Sequence, residues 1–183
     1  MKKRVVFVIG FLFFIIFSFG VIKSNALSLR SISINELVKK TQFAGWSTIV
    51  KADMTSGRRI LTFKIGQVLR GPRMKTVKIE VNRMYGPTNI PLGSWVFLAL
   101  RKDSRGNWRP VAHRGIWIVN YILRSNMKGF YALRVPQGLI YGIPKRLHKL
   151  EEIFHILPNG KYHKLKMRFY HYFEMMKYLR RIF

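Results

Sequence analysis

The chain has 183 residues, with 34 Lys and Arg against 7 Asp and Glu, a formal charge of +27, and no cysteine. Apolar residues make up 49% and aromatics 14%, enough for a packed core, so wholesale disorder is excluded. The missing cysteines exclude a disulfide framework, a thiol nucleophile, lipoprotein attachment and a cysteine-based zinc site, while the charge predicts attraction to polyanions without bearing on fold.

Residues 1–4 form a positive n-region, residues 5–22 an uninterrupted apolar run, and Ser24 and Ala26 the small residues of a cleavage site that would free Leu27. The run is also just long enough to span a bilayer. Residues 1–26 are therefore expected either to be removed as a signal peptide or to stay as an anchor, with residues 5–22 in the inner membrane. Both readings predict an exported chain, periplasmic or extracellular. Without residues 1–26 there remain 30 basic and 7 acidic residues, a charge of +23, so the excess belongs to the exported part.

Ser33 with Glu36 fits a capping box ahead of a short helix. Residues 43–52 read as a first strand. In the next strand Leu61, Phe63 and Ile65 alternate with Thr62 and Lys64, and after the Gly71–Pro72 turn Val77, Ile79 and Val81 alternate with Thr76, Lys78 and Glu80. That period of two marks half-buried antiparallel strands. Residues 83–93 hold two prolines and two glycines and read as a loop, whereas 94–101 are apolar on both faces; short strands are expected around Trp108, at 115–119 and at 129–135. Beyond Pro144 the spacing changes. Leu147, Leu150, Phe154 and Leu157 fit a helix, and Leu165, Phe169, Tyr172, Met176, Leu179 and Phe183 step by 4, 3, 4, 3, 4, predicting an amphipathic helix of about six turns. The expected class is mainly β with α additions: a small antiparallel OB-like β-barrel, a short N-terminal helix and two C-terminal helices. Its parts are the leader 1–26, a barrel domain 27–143 and a helical extension 144–183, the second helix basic and amphipathic.

The strands with Gln67-Val-Leu-Arg-Gly71, Gly93-Ser-Trp-Val-Phe97 and Gly115-Ile-Trp-Ile-Val119, together with Gly138-Leu-Ile-Tyr-Gly-Ile-Pro144, resemble those of a group of small exported bacterial β-barrel proteins of unassigned activity. The likeness covers residues 33–157 and is loosely similar to netrin-like inhibitor domains. It implies an OB-type barrel and export, and carries over no activity, since netrin-like inhibition depends on cysteines.

Catalytic chemistry finds little material. The carboxylates are scattered, and no nucleophile elbow, Walker loop or dinucleotide fingerprint follows a strand. His148, Glu152 and His155 would share one helix face at i, i+4, i+7, which reads as a solvated face because no second ligand motif accompanies them. The expectation is no enzyme, no cofactor and no metal. Binding is better served: Lys164, Lys166, Arg168, Lys177, Arg180 and Arg181 lie opposite the apolar stripe Leu165, Phe169, Tyr172, Met176, Leu179 and Phe183, with Arg70, Arg73 and Lys75 on the hairpin turn. These cations point to an anionic membrane or envelope polymer, or to a protein partner. One alternative is an oligonucleotide- or oligosaccharide-binding module, nucleic acid being less favoured for an exported chain, and it needs aromatics exposed in a basic groove. Trp46, Trp95, Trp108, Trp117, Phe130 and Tyr131 are expected mostly in the core. An envelope hydrolase, built on His113 with a carboxylate, is a further alternative.

Overall fold

The computed structural model describes residues 31–55, 58–81, 90–136, 139–156 and 160–183. The leader, its cleavage site and the anchor reading of residues 5–22 lie outside them, as do Leu157 and most of the 83–93 loop. The chain enters through β1 (Ile32–Ser33) and passes directly into α1 (Ile34–Lys40). The Ser33 hydroxyl accepts from the Glu36 amide at 3.0 Å, as a capping residue should, and the Glu36 carboxylate pairs with Lys40 one turn on. Ile34 and Leu37 are buried.

There follow β2 (Phe43–Thr55), β3 (Arg58–Arg70), β4 (Thr76–Val81), β5 (Trp95–Lys102), β6 (Trp108–Pro110), β7 (Ile116–Leu123) and β8 (Gly129–Arg134). Then come β9 (Ile140–Tyr141), β10 (His148–Ile156), β11 (Tyr162–His171) and α2 (Tyr172–Ile182), with single 3-10 turns at Val111–His113 and Lys145–Leu147. One antiparallel sheet runs in the order β10-β11-β8-β7-β5-β2-β3-β4, with β6 also on β5. β1 pairs in parallel with β9, Ile32 opposite Ile140.

Alternation along the strands builds two cores on opposite faces of the β2–β5 pair. Phe43, Ile49, Leu61, Phe63, Val77, Ile79, Val96 and Leu98 fill one. Ala44, Trp46, Phe97, Ala99 and Trp117 line the other, closed by Leu37 of α1 and by Met175 and Leu179 of α2. Irregularities in the β2–β3 ladder at Ala44/Gly45, Trp46/Ser47 and Ile49/Lys51 coil that hairpin. β4 and β6 share Arg109, which pairs with the Glu80 and Asp103 carboxylates at 2.9 and 3.1 Å. No ladder joins these strands, so no closed barrel is found among the described residues.

The C-terminal region differs from expectation. Residues 148–156 and 162–171 are strands β10 and β11, and of the two predicted C-terminal helices only residues 172–182 are helical. The spacing explains why. A step of four, as in Leu150–Phe154 or Leu165–Phe169, keeps two residues on one face of a helix and also on one face of a strand. Only odd steps distinguish the two. Of the odd steps, Leu147 to Leu150 crosses from the 3-10 turn into β10, Phe169 to Tyr172 crosses from β11 into α2, Met176 to Leu179 lies within α2, and Phe154 to Leu157 ends outside the described residues.

Candidate functional site

Glu174, Lys177, Tyr178 and Arg181 stand at i, i+3, i+4 and i+7 on α2 and so share one helix face. Opposite them, Pro144 precedes the 3-10 turn that presents Arg146 while its neighbour Leu147 is buried in the core. Lys149 follows on β10. These side chains line a cleft of about 430 Å³. Four cations from three elements thus face one carboxylate, Glu174, which Lys149 engages at 2.5 Å. Burial pushes the Tyr178 phenol up from its ordinary value, against a smaller downward pull from Arg146, so it remains a neutral hydrogen-bonding group at pH 7. The arrangement can hold an anion with several oxygens, by charge and by hydrogen bonds from both walls.

The predicted cations do not form one patch. Lys177 and Arg181 line this cleft, whereas Arg180 turns the other way and donates to Gln67 Oε1 of β3 at 3.2 Å. Lys164, Lys166 and Arg168 alternate along the exposed strand β11, sharing a face with Phe154, Glu152 and Leu150 across the hairpin. Arg168 also enters a second cleft, of about 440 Å³, where β11 and β8 part after only two paired positions; Arg134 lies on its other wall. Arg70 donates to the Val38 carbonyl of α1 at 2.7 Å, and Arg73 and Lys75 are exposed on the β3–β4 turn. In the predicted apolar stripe, Leu165 and Phe169 are strand residues, while Tyr172, Met176, Leu179 and Phe183 pack on the core.

Other candidates are redistributed too. His148 and Glu152 share a face of β10, which is a strand and not the helix that the i, i+4, i+7 spacing assumed. Among the described residues no group of three His, Asp or Glu is placed to hold a metal ion. His113 is held below its usual value by burial and by Arg101, Arg114 and Arg109. Most of the six aromatics are core, as expected: Trp46, Trp117 and Phe130 are buried and Trp108 packs against the core, while Trp95 and Tyr131 are 54% and 44% exposed. Trp95 meets α2 at Tyr172 of its first turn, 6.4 Å between ring centroids, whereas Phe97 on the same strand face is packed into the core beneath the helix and meets Phe183. Sequence reasoning missed Arg146 and Lys149 because a continuous helix would have turned them differently. No helix among the described residues is long and apolar enough to cross a membrane. In sequence, the chain matches no known family model and no curated protein.

Proposed function

We propose that the chain is an exported, non-catalytic protein of the cell envelope that captures an anionic surface electrostatically. The observation that carries this reading is the convergence of Arg146, Lys149, Lys177 and Arg181 on one cleft with a single carboxylate among them. Like charges so gathered repel one another, and a polyanion relieves that repulsion on binding. The exposed ribbon cations Lys164, Lys166 and Arg168 extend the same field. An OB-like description of the coiled sheet belongs to this reading, since such barrels are partly open.

Capture is by charge rather than by insertion, because Met175 and Leu179 of α2 are fully buried. The test is sedimentation with phosphatidylglycerol-containing against phosphatidylcholine-only vesicles. The anionic vesicles should be preferred, and that preference should decline steeply with salt. At about 1 kcal/mol for each cation near an anionic surface, K177E/R181E should weaken it by at least about thirtyfold. Equal binding to both vesicle types would overturn the proposal.

A further inference from the structure

A second surface, remote in chemistry from the cationic cleft, carries exposed rings rather than a concentration of charge. Trp95 lies 6.2 Å from Tyr131, their planes 24° apart; Tyr131 lies 5.2 Å from Tyr121, and Trp95 6.4 Å from Tyr172. Trp95, Tyr121 and Tyr131 are all more than 40% exposed. Isolated exposed aromatics need no explanation, but a contiguous run of them on a sheet face does. The run leads to a pocket of about 190 Å³ whose walls include Trp95 and Tyr172 and whose polar members include Thr48 and Gln67. That is smaller than the roughly 300–1,000 Å³ of pockets enclosing a whole small molecule, and it suits one ring of a longer ligand lying across the surface.

The sheet supplies a charged continuation. Trp95 pairs across the ladder with Thr48, Thr48 with Lys64, and Lys64 with Thr76, so the four form one row on one face. The next row of that face is Lys51, Thr62 and Lys78. Lys51, Lys64, Lys78 and Thr76 are exposed. On the pocket's other side Arg180 holds the Gln67 carboxamide. Stacking surface, hydroxyl and amide groups, and ammonium groups therefore follow one another over neighbouring strands.

We infer that the Trp95–Tyr131 platform and its adjoining lysine–threonine rows bind an acidic polysaccharide. A pyranose ring lays its apolar C–H face on an aromatic ring, while its rim hydroxyls both donate and accept, which matches Thr48 and Gln67. Carboxylates along the polymer match Lys64 and Lys78, and Lys51 where they displace the Asp53 carboxylate that pairs with it at 3.0 Å. A nucleobase stacks as well, yet it concentrates its hydrogen-bonding groups on limited edges, and the choice of polysaccharide also rests on the export reading above. It does not rest on the cationic cleft.

The test is titration of the full-length chain with polygalacturonate, neutral dextran and oligodeoxythymidylate at several salt concentrations. Polygalacturonate should bind best. Trp95→Ala should weaken it at least about fivefold, as loss of one stacking surface does, and Trp95→Phe should restore most of the affinity. Lys64→Ala should reduce the salt dependence. Because Trp95 is half exposed, circular dichroism of Trp95→Ala should match the parent chain. Tighter binding of oligodeoxythymidylate, or unchanged polygalacturonate binding by a folded Trp95→Ala, overturns the inference. Vesicle binding separates it from the cleft reading: Trp95→Ala should keep the preference for anionic vesicles, and K177E/R181E should keep the Trp95-dependent polysaccharide binding.

Discussion

Trp117 and Trp46 stand in the same core and depend on different terms. The Trp117 indole N–H donates to the Arg114 carbonyl at 2.7 Å, whereas that of Trp46 is buried without a partner among the described residues. An unpaired buried donor adds nothing to stability, while breaking a buried bond leaves a carbonyl unsatisfied at about 1–3 kcal/mol. Trp117→Phe should therefore be the costlier change by about that amount, measured as the difference in urea unfolding free energy. Gly115 shows a limit set by space alone. A Cβ there would lie 1.9 Å from the Ala99 carbonyl oxygen, which itself belongs to the strand bonded to Gly115. Backbone cannot step aside as a side chain can, so Gly115→Ala should destabilise by about 1–3 kcal/mol. The same substitution at Gly106, where nothing lies within 4 Å, meets only the strain of φ +80 and should cost about 1 kcal/mol.

Among the elements, α2 joins a structural face to a charged one. Met175 and Leu179 are fully buried, while Phe173 in the first turn is 63% exposed. Leu179→Ala should cost about 2–4 kcal/mol, and Phe173→Ala almost nothing. A helix that instead gave its apolar side to a membrane would show the reverse pattern, with Leu179→Ala affecting vesicle binding and leaving the urea midpoint unmoved. The β3–β4 hairpin was legible from alternation because Leu61, Phe63, Val77 and Ile79 are inward at every second position, with both bounding turns clear in composition. The β10–β11 ribbon was not. Its exposed apolar side chains, Leu150 at 59% and Leu165 at 41%, are not arranged by burial, so a spacing of four carried no parity information. The cationic cleft was half legible for the same reason: Lys177 and Arg181 lie on a real helix, but Arg146 and Lys149 reach it only because the preceding segment is a turn and a strand. Exposure of Trp95 had no local signal, since Trp95 and Phe97 lie two apart on one face of β5 and differ only in how fully the rest of the fold packs over them.

At the scale of the whole molecule, charge sets how stability responds to solvent. Self-repulsion at +27 opposes the compact state, so raising salt from low to physiological strength should raise the melting temperature even as it weakens anion capture. Acid acts in two stages. His148 is held below its usual value by burial and then by Arg168, and His113 by burial and neighbouring arginines. Unfolded imidazoles take up protons first, so stability should fall as the pH drops below the ordinary histidine value of about 6.5. Glu151 is held down chiefly by its hydrogen bonds with Arg124, and also by His171. Its contribution is complete above the ordinary carboxylate value and is lost as the pH falls through its lower folded value. Urea midpoints at pH 7.5, 5.5 and 4 should show both declines. His148→Phe should lessen the first and Glu151→Gln the second.

The parallel pairing of Ile32 with Ile140 sets the order of events in biosynthesis. The first strand of the described fold has no partner until more than a hundred further residues have been made, and the core around Trp46 and Trp117 waits longer still for Met175 and Leu179. Strands β2, β3 and β4 can pair in succession while the chain is growing, and β5 can then return to the free edge of β2, but the face later covered by α2 stays bare. Such a high-contact-order closure is slow, and it leaves an incomplete chain with exposed Trp46, Phe97 and Trp117, the surface a holding chaperone would engage.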